Sequence, residues 1–413
     1  MLEMAILWEW LGFAARWLHV ITAMAWIGSS FYFIALDLGL RKRKGLPESV
    51  HGEEWQVHGG GFYHIQKYLV APKEMPEHLI WFKWESYATW LSGFVLLAIL
   101  YYVGADLYLI DRSVLDVEPL VAIGLSVASI VLGWLVYNLL CKSPLGRDNN
   151  RLMLLLFVIL VAMAWGYTQL FSARAAFLHL GAFTATIMSA NVFFIIIPNQ
   201  KKVVAKLKAG ETPNPALGME AKQRSTHNNY LTLPVVFLML SNHYPLAYAS
   251  EYSWIIAALV FLEGVVIRHY FNSKHAGKGH LLWCWFVAAG IFIAIIALSI
   301  LPVSSHDARK QAVSDAENAV RYEGLLAQNP HYEGVKSLIE ANCSMCHARE
   351  PLWEGIVGPP KNVVLEQDYD IARLARDIYI QAGVTHAMPP GNITFMEPED
   401  RVLIMAWYES AKR

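Results

Sequence analysis

Near its C-terminal end the chain reads Cys343-Ser344-Met345-Cys346-His347. Two thiols three positions apart, followed at once by histidine, are equipped for one reaction. The sulfurs add across the vinyl groups of a porphyrin, and the imidazole ligates its iron as a c-type haem. A zinc site is the other use of a cysteine pair, but it needs a second pair at matching spacing, and none follows. His-ligated haem iron of this kind usually takes a sixth ligand, Met or His. Met388 is the first choice, because Pro389 and Pro390 fix a turn beside it. Met396, Met405 and His386 remain alternatives; Met405 shares an apolar face with Val402, Leu403 and Ala406 and reads as core.

Three further histidines, His19, His179 and His243, lie in or at the ends of long apolar runs. Ionisable groups there are costly and tend to be functional. Neutral imidazole ligates haem iron well, so a b-type haem held by two of the three is the sharper expectation. The plainer one is a hydrogen bond to a neighbouring helix.

A third concentration of polar and aromatic residues lies between residues 39 and 85. It includes His51, His58-Gly59-Gly60-Gly61-Phe62-Tyr63-His64 and Trp81-Phe82-Lys83-Trp84-Glu85. Glycines let backbone amides approach a flat ligand, and aromatic faces stack on heterocycles. His58 and Trp84 are therefore candidate substrate contacts and Glu85 a candidate base; an ordered interfacial hairpin is the structural alternative. From His227-Asn228-Asn229-Tyr230-Leu231-Thr232, Asn228 and Thr232 offer groups for a ligand's N–H and C=O edges, and His227 is a second candidate base. Helix capping explains the same run equally well.

The elements that carry these residues follow from composition. Mean hydropathy is +0.34 and 55% of residues are hydrophobic, with a formal net charge of −1. That balance excludes an ordinary soluble protein and gives no electrostatic basis for a nucleic-acid partner. Crossing the hydrocarbon takes about 20 apolar residues as helix. Eight stretches qualify, at roughly 11–38, 86–104, 119–140, 152–171, 175–197, 229–249, 253–271 and 281–301. The fold class is accordingly all-α: a polytopic eight-helix transmembrane bundle over 1–301, a linker over 302–329, and a small helical domain over 330–413. Leu18-His19 with Phe33 and Leu178-His179 with Phe193 hint at two parallel four-helix repeats.

Lysine and arginine crowd alternate loops. Arg41-Lys42-Arg43-Lys44 is the densest run, and the segment after the fifth stretch carries Lys201, Lys202, Lys206, Lys208, Lys222 and Arg224. The positive-inside rule then puts the N-terminus and the C-terminal block outside, the side on which bacteria attach c-type haem. The first apolar stretch lacks a basic leader and a small-residue cleavage site, so it reads as retained in a bacterial inner membrane.

The block from 330 to 413 resembles a small class I cytochrome c, in its haem motif, in Gly358-Pro359 and in a closing helix ending Trp407-Tyr408. Trp17-Leu18-His19 through Gly28 is similar to the haem-binding first helix of membrane protoporphyrinogen oxidases. Nearly the whole length resembles the bacterial membrane-bound urate oxidases (urate hydroxylase, PuuD type). That likeness is carried by the first helix, the His58–His64 loop, Lys83-Trp84-Glu85-Ser86-Tyr87, His227-Asn228-Asn229-Tyr230 and the haem motif. It implies that urate, in purine catabolism, is oxidised to 5-hydroxyisourate within the helical domain. The fused cytochrome c would take the electrons on to a terminal oxidase or a soluble cytochrome. Glu85 or His227 would remove the proton as water adds at C5. Two rivals stay open: another quinol- or small-molecule-linked dehydrogenase, and a membrane-anchored electron carrier without catalysis.

Overall fold

A computed structural model describes the chain apart from residues 1, 48, 69–74, 112–113, 249, 300–324, 327, 354–355, 357–358, 361–362, 385 and 412–413. Most of the expected linker therefore lies outside the described residues, as does Gly358.

Each apolar stretch is helical. The helices are α1 (Leu2–Gly39), α2 (Trp84–Leu97), α3 (Pro119–Lys142), α4 (Asn149–Thr168), α5 (Ala173–Ala190), α6 (Ile197–Lys208), α7 (Pro215–Leu240), α8 (Ser253–His275) and α9 (Trp283–Ser299). Five helical segments are long and apolar enough to cross a membrane: Trp10–Gly39, Pro119–Lys142, Asn149–Thr168, Ala173–Lys208 and Ser253–His275. Their starts follow from local chemistry. Asp148 caps α4 by accepting from the amides of Asn150 and Arg151, Ser172 caps α5, and Asn214 with Pro215 behind it starts α7.

Two helices change winding. α2 runs into a π-helical turn, Ala98–Tyr102, and α5 joins α6 through another, Asn191–Ile196. Each holds an extra residue against the α-helical ladder, a feature common near functional sites.

Within residues 39–85 the structure takes the second of the two readings, an ordered hairpin. The glycines there serve a turn: β1 (Val50–His58) and β2 (Gly61–Tyr68) form an antiparallel hairpin. Gly59 and Gly60 bridge His58 and Gly61 with φ of +59° and +79°, the left-handed pair of a tight two-residue turn. Glu53, almost fully buried, ties the hairpin by accepting from Arg43 Nε (2.9 Å) and bonding His64 Nε2 (2.6 Å).

Buried apolar side chains fall into two clusters. One spans α2 to α9 and contains Tyr101, Tyr137, Tyr167, Phe183 and Leu238. The outward faces of these helices stay apolar, with Trp17 63% and Leu120 82% exposed. A soluble protein does not leave such continuous apolar surface wet. The second cluster joins α10 (Tyr332–Asn342) to α12 (Asp368–Arg373), α13 (Ala375–Ile378) and α14 (Pro398–Ser410), and the short α11 (Ser344–His347) follows α10 directly. Val335, Ile339, Ile404 and Trp407 are fully inside it, each contributing about 2 kcal/mol of apolar burial. Glu397 and Asp400 form a capping box that starts α14.

Candidate functional site

Cys343 closes α10, its amide on Ile339 O at 2.8 Å, and α11 presents Cys346 and His347 one turn on. Both thiols are unpaired, and burial pushes the Cys343 thiol up to about 12. His347 donates Nδ1–H to Val363 O at 2.9 Å. That bond selects the tautomer with the lone pair on Nε2, the form a ligand to iron needs. Met388 packs against the C-terminal cluster, whereas Met396 is 3% exposed within it. Arg401, nearly fully buried, donates to Ala382 O (2.6 Å), Met388 O (2.9 Å) and Asn392 Oδ1 (2.9 Å), and so fixes the Met388 turn. Thiols, imidazole and thioether together fit a covalently held haem.

His19 and His179 repeat the tautomer pattern. His19 donates from Nδ1 to Thr89 O at 3.0 Å, and it approaches α2 at Gly93, where a Cβ would come within 2.7 Å of its ring. His179 donates from Nδ1 to Ala175 O at 2.8 Å; its Nε2 is buried without a partner among the described residues. The rings of Tyr101, Tyr167 and Phe171 surround it. The two histidines thus meet different stretches, His19 on α2 at Thr89–Gly93 and His179 beyond it at Tyr101. His243 is exposed on a short 3-10 turn, Ser241–His243, after α7.

The densest buried polar cluster is built on α7. Because Asn214 caps this helix at residue 215, His227 and Asn228 stand well inside it rather than at its entrance. Arg224, His227 and Asn228 lie at helical spacing on one face, and all are buried. Arg224 is 0% exposed and donates to Asn138 Oδ1 (2.8 Å) and Asn191 Oδ1 (3.4 Å). Its guanidinium stacks over Tyr137 at 5.0 Å. Glu220, the carboxylate it pairs with, stands off at 3.9 Å. Tyr137 Oη lies 2.8 Å from His227 Nδ1 and accepts from Asn191 Nδ2 at 3.2 Å. Asn228 accepts from Asn191 Nδ2 (3.1 Å) and donates to Met188 O (2.9 Å). On the adjacent face, Asn229 Oδ1 accepts from Asn272 Nδ2 (2.9 Å) and Arg268 Nε (3.4 Å), and Arg268 lies 4.0 Å over Phe31.

Among the described residues, no hydrogen bond links His58, Trp84 or Glu85 to this network, whereas Thr232 belongs to it. His58 is exposed at the hairpin tip. Trp84 is 64% exposed at the start of α2 and packs edge-on to Tyr87. Glu85, one residue on, has a buried Oε2 without a partner among the described residues. Thr232 donates to Asn228 O of its own helix at 2.8 Å. Arg224 and Arg268 count in the sequence merely as loop charge; the spacing Arg224, His227, Asn228 on one helical face was the available signal. Tyr137 and Asn191 carry no such signal, because tertiary packing alone brings them in.

Residues 5–299 match the family model described as urate oxidase N-terminal. No curated protein and no solved structure matches the chain.

Proposed function

Since the chain belongs to the urate oxidase N-terminal family, we propose that it is a membrane-bound oxidoreductase. It oxidises urate among its helices, and Cys343, Cys346, His347 and Met388 would hold a haem that would supply the electron acceptor. The family match carries the substrate. The buried N–H-rich cluster on α7 supports a site for a small planar heterocycle, and the haem motif supports the acceptor.

The reaction balances as urate plus water giving 5-hydroxyisourate, two electrons and two protons. Bound at Cys343–His347, a haem supplies one-electron acceptance, so each urate gives up its electrons in succession. The chain's own residues do the rest. The α7 cluster binds and orients the purine, and its burial excludes bulk water. Glu85 is the candidate that takes a proton from the attacking water, through its unpartnered Oε2. His19 and His179 each hold the tautomer that suits a b-type haem, which would relay electrons toward the C-terminal block. The apolar helices and the charge asymmetry of the loops support eight spans, with both termini on the outer face of a bacterial inner membrane. The final acceptor is then a terminal oxidase or a soluble cytochrome.

Anaerobic optical titration of the purified protein tests this reading. Reduction of a c-type band by urate, at two electrons per urate, is the expected result. Reduction by quinol alone favours another dehydrogenase, and reduction by neither favours a plain carrier. A second, b-type band counts the haems.

A further inference from the structure

The orphaned polar atoms around α7 share a chemical character. Arg224 Nε and Asn229 Nδ2 are buried without partners among the described residues, and so is His227 Nε2. The first two are donors by nature. The network makes the third a donor as well. Arg224 can only donate, so Asn191 turns its oxygen to the guanidinium and its amide nitrogen to Tyr137 Oη and Asn228 Oδ1. The phenol oxygen, already accepting, sends its own hydrogen to His227 Nδ1, the strongest acceptor beside it. Nε2 then carries the ring's one N–H. Beside these unmet N–H groups stands a fully buried guanidinium whose carboxylate partner is long at 3.9 Å and part-exposed. Burying a cation with so little compensation is costly unless an anion completes the site.

We propose that the buried polar site formed by Arg224, Tyr137 and His227 binds its ligand as a monoanion, acceptor edge toward α7, with His227 donating a hydrogen bond rather than acting as base. The ligand class is a planar oxypurine monoanion, held by Arg224 through charge and by His227 Nε2–H through a carbonyl or ring-nitrogen acceptor. This rests on the reading of urate as substrate, and it moves the base role away from His227 to Glu85.

The test uses the full-length haem-loaded protein in detergent. Equilibrium binding of urate, and of xanthine as a non-oxidised probe, is followed with pH alongside KM and kcat. Arg224→Gln is expected to weaken binding of both anions by about tenfold or more, raising KM with a smaller change in kcat; Arg224→Lys recovers part of it. Binding of xanthine rises with pH as the probe ionises, and this dependence vanishes in Arg224→Gln. His227→Gln, whose amide keeps a donor, raises KM less than His227→Phe, which removes it. Unchanged binding in a folded, haem-loaded Arg224→Gln overturns the proposal. So does a kcat loss of about a hundredfold in both His227 variants with loss of one limb of the pH profile, because that is the signature of a base. If the wild type binds the anions without oxidising urate, the substrate reading fails while the anion site stands.

Discussion

At the scale of the residue, what could be read in advance depended on how local the information was. Cys343, Cys346 and His347 stand out because five consecutive residues carry the whole motif; in the structure His347 places Nδ1 on a carbonyl. Arg401 was hidden for the opposite reason. Its three acceptors, at Ala382, Met388 and Asn392, are gathered by folding, and nothing in the string distinguishes it from a surface arginine. Its removal should be expensive, since three buried acceptors lose their donor together. Arg401→Met is expected to cost about 3 kcal/mol of stability in the C-terminal block. With Met388 as sixth ligand, the oxidised haem should also shift toward high spin. Thermal unfolding and the visible spectrum check the two effects separately.

At the scale of the element, helices were legible wherever about 20 apolar residues ran together, and illegible where polar residues share a helix with apolar ones. α7 begins fourteen residues before its apolar part for this reason, and its chemistry lies in that polar extension. The hairpin stood beside the ligand cradle as an alternative because a glycine run fits both; the Gly59-Gly60 pair between alternating residues is the cue that favours the turn. α7 and α8 meet at a tight point. A Cβ on Gly264 would lie 2.5 Å from Pro234 Cδ, whereas one on Gly124 of α3 meets nothing within 4 Å. Gly264→Ala should destabilise by about 1–3 kcal/mol, while Gly124→Ala is neutral or slightly stabilising; thermal unfolding in detergent compares the two. In the C-terminal block, α10 is tied to α12 by Lys336 and Asp368, 2.7 Å apart. Partial burial of Asp368 works against its ionisation, but Lys336 and Tyr332 outweigh it and hold the carboxyl below its ordinary value. Its contribution is therefore complete above about pH 4 and lost as pH falls further. Asp368→Asn should flatten the acid limb of the unfolding profile and leave the neutral region nearly unchanged.

At the scale of the whole molecule, hydrogen bonds connect the helical cluster to the haem-motif block. Tyr101 Oη donates to Asn242 Oδ1 at 3.1 Å, and Arg174 bonds the same oxygen while stacking over Tyr108 at 5.6 Å. Tyr108 Oη then donates to Asp377 Oδ2 on α13. Burial, and the Asp377 carboxylate beside it, push the Tyr108 phenol above its ordinary value, so it remains a donor across the working range. His179 packs on Tyr101 at the inner end of this chain. Tyr108→Phe removes this bond to α13. Urate-driven reduction of the c-type haem should slow by up to about tenfold, as expected for one lost charge-assisted hydrogen bond. Haem content and urate binding should not change. Stopped-flow reduction beside equilibrium binding separates docking from catalysis.

The π turn at Asn191–Ile196 makes the helix it interrupts a length polymorph of a regular one. Shortening the gene there by a single codon, at Val192, would let α5 and α6 fuse into unbroken winding. The flanking helices would keep their faces, while Asn191 would leave the geometry in which it bonds Arg224, Tyr137 and Asn228. The shortened protein is expected to melt no earlier than its parent and to oxidise nothing. Such a variant would expose a conflict in which selection keeps an insertion that folding alone would discard.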